Sequence, residues 1–295
     1  MVLIGKIIGI NTSDNYYNLL ISDEFGKNYN LKIDLSYKDA IKISHTYKFE
    51  CMQIEGSERV TNKVTSFVEI TEFPFEKRNE ELRKFYQSAP ISLEDAQNEV
   101  NNYINKIDNK IIRDITKTLI EKHHEDFFIY PAAAKLHHAY VGGLAYHSIG
   151  MLHFADAFIE NYSYLNKDYI YAGILLHDIG KVIELTGAVN TEYSLKGQLL
   201  GHLVLGAMEI ELQAKELGYA DKEEALMLEH MLISHHGQPQ FGSAKKPMTA
   251  EALVLWYIDT IDSKFRVLGE ELEKTQSGSF TDNIGVLDRT KIYKI

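Results

Sequence analysis

Seven side chains between positions 147 and 259 have the types and surroundings to do chemistry together: His147 in GLAYHS, His177 and Asp178 in LLHDIGK, His202 in QLLGH, His235 and His236 in SHHG, and Asp259 in WYIDTID. Imidazole nitrogen and carboxylate oxygen are ligands for first-row transition metals, and donors this far apart in a chain meet only through tertiary structure. A metal site inside a helical domain is the expectation. His177 and Asp178 stand where a helix should end at Gly180, and such a turn lets neighbouring side chains converge instead of diverging by about 100° per residue. A carboxylate has two oxygens, so Asp178 is the expected bridge between two cations. One metal needs only His147, His177, Asp178 and an aspartate from the WYIDTID run, where Asp259 and Asp262 lie three apart on one helix face. The further nitrogens of His202, His235 and His236 suit a second. Two cations can clamp the attacking and leaving oxygens of a phosphoryl displacement and acidify a water. The mixed donor set favours Mn, Fe, Co, Ni or Zn over Mg.

The rest of the chain must position these groups. With 295 residues, 45% of them hydrophobic, it can bury two cores. Up to residue 75, five segments rich in β-branched and aromatic residues alternate with turn signals: VLIGKIIGI, NYYNLLISD, NYNLKIDL, TYKFECMQIEG and KVTSFVEITEF. They predict a small five-stranded OB-like β-barrel over 1–75. Residues 76–91 are charged and lack a sustained strand period, which suits a linker with a turn or two of helix. From 92 onward the pattern is helical, opening with Ser92 and Asp95 as a capping pair. Helices are expected near 109–127, 142–161, 167–178, 198–217, 221–235 and 249–274, the helical domain running over 92–280 with a C-terminal tail at 281–295. The fold class is thus α+β multidomain, a barrel followed by an all-α domain.

Composition narrows the function. The single cysteine, Cys51, excludes an internal disulfide. No apolar run reaches the roughly 18 residues a membrane helix needs, and MVLIGKIIGI lacks a basic leader and cleavage site, so a cytoplasmic location without membrane association is expected. A formal charge of −11 argues against a broad nonspecific grip on duplex nucleic acid. Residues 1–75 hold eight Lys plus Arg and ten Asp plus Glu, a balance of −2 that is poor for an electrostatic nucleic-acid surface. Tyr16, Tyr17, Phe25, Tyr29, Tyr47 and Phe49 are candidates either for stacking bases or for the barrel core.

The second domain resembles the HD superfamily of metal-dependent phosphohydrolases through HDIGK at 177–181, with His147 and Asp259 where that pattern places its other ligands. More narrowly, YPAAAKLHHAYVGGLAYHSIGMLH, GILLHDIGK, QLLGHL, LISHHG and YIDTIDSK are similar to the YhaM-type 3′-to-5′ exoribonucleases, which join an OB-fold to an HD domain. That resemblance implies Mn²⁺ as cofactor, Asp259 as the ligand with Asp262 behind it, and single-stranded RNA as substrate, with single-stranded DNA as a second. Lys181 is a candidate to neutralise phosphate charge at the reacting centre. Lys135, His137 and His138, and the pair Lys245 and Lys246 in GSAKKP, are candidates for substrate contacts. A homo-oligomer is left open. Two rival functions remain: hydrolysis of free nucleotides, which HD domains also perform, and a non-catalytic single-strand-binding factor. His45, His123, His124, His153 and His230 are expected to be packed, hydrogen-bonded histidines outside the site.

Overall fold

The computed structural model describes residues 1–37, 39–55, 60–133 and 140–295, with the side chains of 55 and 60 also left aside. It divides into two compact units, Met1–Gln87 and Ser88–Ile295.

The first unit is a closed barrel of β1 (Val2–Thr12), β2 (Tyr17–Ser22), β3 (Asn28–Ile33), β4 (Thr46–Glu55) and β5 (Val60–Glu69), in the order β1-β2-β3-β5-β4. All pairings are antiparallel except β3 with β5. Strand alternation decides what points inward: Leu19 and Ile21 from β2, Leu31 and Ile33 from β3, and Tyr47 and Phe49 from β4 form the core. Tyr47 and Phe49 are therefore core residues, whereas Phe25 is 86% exposed and Tyr16, Tyr17 and Tyr29 are half-buried. Each fully buried side chain of this size contributes roughly 1.5–3 kcal/mol.

Where a linker with a turn or two was expected, Phe75–Phe85 forms an eleven-residue helix, α1. Its Phe75 and Leu82 are buried, and ion pairs one turn apart, Lys77 to Glu81 at 2.6 Å and Lys84 to Glu80 at 2.8 Å, staple its charged face. Tyr86 just beyond it donates to Ser44 O at 2.9 Å, tying the helix end to the barrel.

The second unit is helical: α2 (Leu93–Asn105), α3 (Lys110–Lys122), α4 (His124–Ile129), α5 (Gly143–Asn161), α6 (Lys167–Leu176), α7 (Lys181–Glu184), α8 (Leu195–Glu216), α9 (Glu223–Ser234) and α10 (Ala250–Lys274). Ser92 caps α2 as its sequence foretells, accepting from Asp95 N at 3.0 Å. The centre is α6, whose Ile170, Ala172, Ile174, Leu175 and Leu176 are almost wholly buried, with α3, α5, α9 and α10 packed around it. An all-round apolar helix has no solvent face, so α6 delivers the residues at its C-terminal end into the interior. The C-terminal residues fold back, with Lys294 Nζ donating to Leu272 O and Thr275 O at the end of α10.

Candidate metal centre

His177, the C-cap of α6, and Asp178 begin the turn that leads into α7, and both are buried. Around them stand His147 from α5, His202 from α8, His235 and His236 from the turn after α9, and Asp259 from α10. The five imidazoles form a connected cluster, with ring centroids 5.2 Å apart for His147 and His177, 5.1 Å for His177 and His235, and 4.4 Å for His235 and His236. The donor atoms fall into two groups, His147 with His177 and Asp178, and His202 with His235 and His236, each set lying within 4.8 Å. Asp178 reaches both: its Oδ2 is 3.2 Å from His177 Nε2, and its Oδ1 is 3.4 Å from His202 Nε2 and 3.8 Å from His235 Nε2.

The partners behind the rings decide what the front atoms can do. His177 Nδ1 bonds Ile174 O at 2.7 Å, His235 Nδ1 bonds Leu232 O at 2.7 Å, and His236 Nδ1 bonds Phe241 O at 2.8 Å. His147 Nδ1 bonds Asp262 Oδ2 at 2.8 Å, and His202 Nδ1 bonds Glu184 Oε1 at 3.1 Å. Carbonyls and carboxylates only accept, so every Nδ1 carries the proton, and a ring in the neutral form that metal ligation requires turns its Nε2 lone pair to the cluster. Four buried atoms there have no hydrogen-bond partner: His177 Nε2, His202 Nε2, His235 Nε2 and Asp178 Oδ1. Acceptors facing acceptors across 3.2–3.8 Å repel unless a cation lies between them, so these residues fit a metal.

Electrostatics agree. Burial, together with His236 and His177 nearby, pushes His235 well below the usual imidazole range, and burial with His202 lowers His236, so both stay in the neutral form that a metal would need. Burial alone would lower His147, but hydrogen bonds to Asp259 and Asp262 outweigh it and raise the group to about 9. Its Nε2, 3.3 Å from Asp259 Oδ1, then carries a proton where a ligating pair would hold a cation. Asp178 is held well below the ordinary carboxylate range despite burial, because His177 and Lys181 favour its charged form.

A cavity of about 280 Å³ opens onto the cluster, its wall including His147, Asp178, Lys181, His202, His235, His236 and Asp259. Lys181 donates to Asp178 Oδ2 at 2.6 Å, so its charge already serves this carboxylate. Asp262 lies behind His147, with Arg266 Nε donating to its other oxygen at 3.4 Å. Lys245 and Lys246 are exposed in the loop after SHHG and do not belong to the described cavity wall. Lys135, His137 and His138 lie outside the described residues. The remaining histidines have partners elsewhere: His45 with Glu69, His123 with Glu209, His124 with Gln97, His153 with Glu99, and His230 with Met248 N.

Two glycines allow this assembly. A Cβ on Gly180 would lie 2.1 Å from His202 O, so only glycine lets α8 approach the HDIGK turn this closely. Gly201 interrupts α8 at φ 71°, ψ 159°, a region essentially reserved for glycine, and so aims His202 inward.

A sequence profile of the HD domain matches residues 144–264, the stretch that supplies all seven clustered residues. The 3′-5′ exoribonuclease YhaM of Bacillus subtilis strain 168 is 41% identical over 219 residues, 74% of this chain and 69% of that protein. The chain belongs to the YhaM family. YhaM proteins of Geobacillus sp. strain WCH70 and Shouchella clausii strain KSM-K16 are 44% and 46% identical over 71% and 72% of the chain. These alignments span 64% and 66% of the two relatives, so the chain matches about two thirds of their length. Like the barrel, the HD region of this YhaM-family chain has no described helix long and apolar enough to cross a membrane.

Proposed function

We propose that the chain is a metal-dependent 3′-to-5′ exoribonuclease that hydrolyses single-stranded RNA, and single-stranded DNA as a second substrate, to nucleoside 5′-monophosphates. The observation that carries the reading is the set of four buried, unpartnered polar atoms divided between two donor groups, with Asp178 of the first also 3.4 Å from His202 of the second. His147, His177, Asp178 and Asp259 would hold one cation, and Asp178, His202, His235 and His236 the other. Mn²⁺ is the proposed ion, two per chain, with Co, Fe, Ni and Zn as alternatives for the same donors. Bound divalent cations would supply Lewis acidity and an acidified water for in-line displacement at phosphorus. The chain's own part is to aim five Nε2 atoms from fixed rings, to keep Asp178 ionised through Lys181, and to hold Asp259 beside His147. Asp262 orients His147 from behind instead of ligating.

The test is a gel comparing 3′-blocked and unblocked RNA with and without Mn²⁺, beside a panel of free nucleotides. Degradation of the unblocked RNA alone, dependent on Mn²⁺, is expected. Hydrolysis confined to free nucleotides would instead make the chain a nucleotide phosphohydrolase. No hydrolysis and no bound metal would leave it a binding factor.

A further inference from the structure

Glu184 ligates nothing in that reading, yet it is buried, 7% exposed, at the end of α7. Its Oε1 accepts two hydrogen bonds from one residue: from His202 Nδ1 at 3.1 Å and from the His202 backbone N at 3.0 Å. Among the described residues its carboxylate takes hydrogen bonds from His202 alone. The backbone bond follows from the break at Gly201. A helix that restarts there leaves its first N–H groups without carbonyls one turn back, and a carboxylate at that end supplies both an acceptor and favourable charge. The ring bond fixes the tautomer, leaving Nε2 as a lone pair 3.4 Å from Asp178 Oδ1.

The other two rings of this half-site differ in kind. His235 and His236 give their Nδ1–H groups to the backbone carbonyls of Leu232 and Phe241, acceptors that no side-chain change removes. His202 is the ring of the three held by a side chain. On its far side, His202 O rests against Gly180 of the same short turn that carries Asp178. One segment, 177–184, thus presents the bridging carboxylate at one end and the clamp on His202 at the other.

We propose that Glu184 is the positioning residue of the three-histidine half-site: one carboxylate oxygen fixes both ring and backbone of His202, so capture of the second cation depends on it and capture of the first does not. This rests on the two-cation reading above. Asp262, behind His147, is its counterpart in the other half-site.

The experiment measures Mn²⁺ bound per chain, and the affinity of each step, for wild type, Glu184→Ala, Glu184→Gln and Asp262→Asn, with circular dichroism as the check on folding. Removing such a supporting partner lowers metal affinity by about 10–100-fold. Glu184→Ala is expected to weaken one step by that factor and leave the other at the wild-type value. Glu184→Gln keeps an oxygen for both bonds without the charge and should fall between them, while Asp262→Asn weakens the other step. In the metal-free proteins the His202 amide should exchange faster in Glu184→Ala and remain protected in Glu184→Gln. A wild type holding fewer than two ions sinks the two-cation reading, and this inference with it. Two ions in the wild type but unchanged affinities in folded Glu184→Ala, or equal weakening of both steps, overturn the role of Glu184 alone. Should Glu184→Ala not fold, a Glu184→Gln protein with wild-type affinity for both ions overturns it as well.

Discussion

The two units differ in where they leave buried polar atoms unpaired: Asn62 Oδ1 on β5 in the barrel unit, and a cluster of facing donor atoms in the helical unit. In the barrel unit the interior is Ile7, Leu19, Leu31, Phe49 and their neighbours, and its histidine, His45, sits partly exposed with Nδ1 on Glu69 at 2.8 Å. In the helical unit His147, His177, His235 and Asp178 are each at most 3% exposed, and Nε2 or Oδ1 atoms in their cluster go unpaired. An unpaired buried polar group costs about 1–3 kcal/mol. The barrel core of large apolar side chains therefore serves stability, and the helical interior gives stability up to keep these donor atoms bare and aligned.

The sharpest way to break that contrast is Asp178→Asn, which keeps shape but removes the charge that faces histidines of both donor groups. Phosphodiester hydrolysis should fall by about a thousandfold or more, with far-ultraviolet circular dichroism unchanged. Wild-type turnover at equal Mn²⁺ would refute the site. In the barrel the converse holds: Phe49→Ala should cost about 3–5 kcal/mol in denaturant unfolding of that unit and leave metal stoichiometry untouched.

A third test uses pH on metal-free protein. His147, raised to about 9 when folded, contributes stability that is fully present below its unfolded value near 6.5 and is lost as pH rises through 9. That loss is on the order of 3 kcal/mol at most. His235 and His236, lowered when folded, act the other way, so stability should also fall as pH drops below about 6.5. Thermal unfolding of the metal-free chain should therefore be most favourable to the fold near pH 6.5 and decline towards 9, and Mn²⁺ should abolish the alkaline decline. A flat profile between 6.5 and 9 would remove the proton from His147. The smallest effect is expected from Lys245→Ala with Lys246→Ala: outside the described cavity wall, they should change RNA turnover by less than about threefold at 0.15 M salt.

That these seven residues come together was legible because each is a chemically marked residue in a short motif. The choice between Asp259 and Asp262 was not. Three residues apart, they share a helix face, and the structure separates them by the two nitrogens of His147, Nε2 beside one and Nδ1 bonded to the other. Glu184 left no mark, being a single acidic residue in KVIELTG whose meaning depends on the break at Gly201, and that break is hidden inside a run that reads as continuous helix. The helix at Phe75–Phe85 is longer than the turn or two expected, because FEKRNEELRKF has few apolar positions and takes support from ion pairs that hydrophobic periodicity does not register. Lys245 and Lys246, close to SHHG along the chain, stand exposed outside the described cavity wall, so their candidacy for substrate contacts rests on the turnover measurement.

The shared orientation of the five rings has a consequence for the lifetime of the chain. Because every Nδ1 is anchored from behind, an ion bound as proposed would find its donors in place and need few rotamers to freeze, so most of its binding energy would be returned to the folded state. Each tenfold rise in free ion above the dissociation constant then adds about 1.4 kcal/mol against unfolding. Scarcity of the ion would thus lower the amount of this protein as well as its turnover, making abundance itself a readout of metal supply.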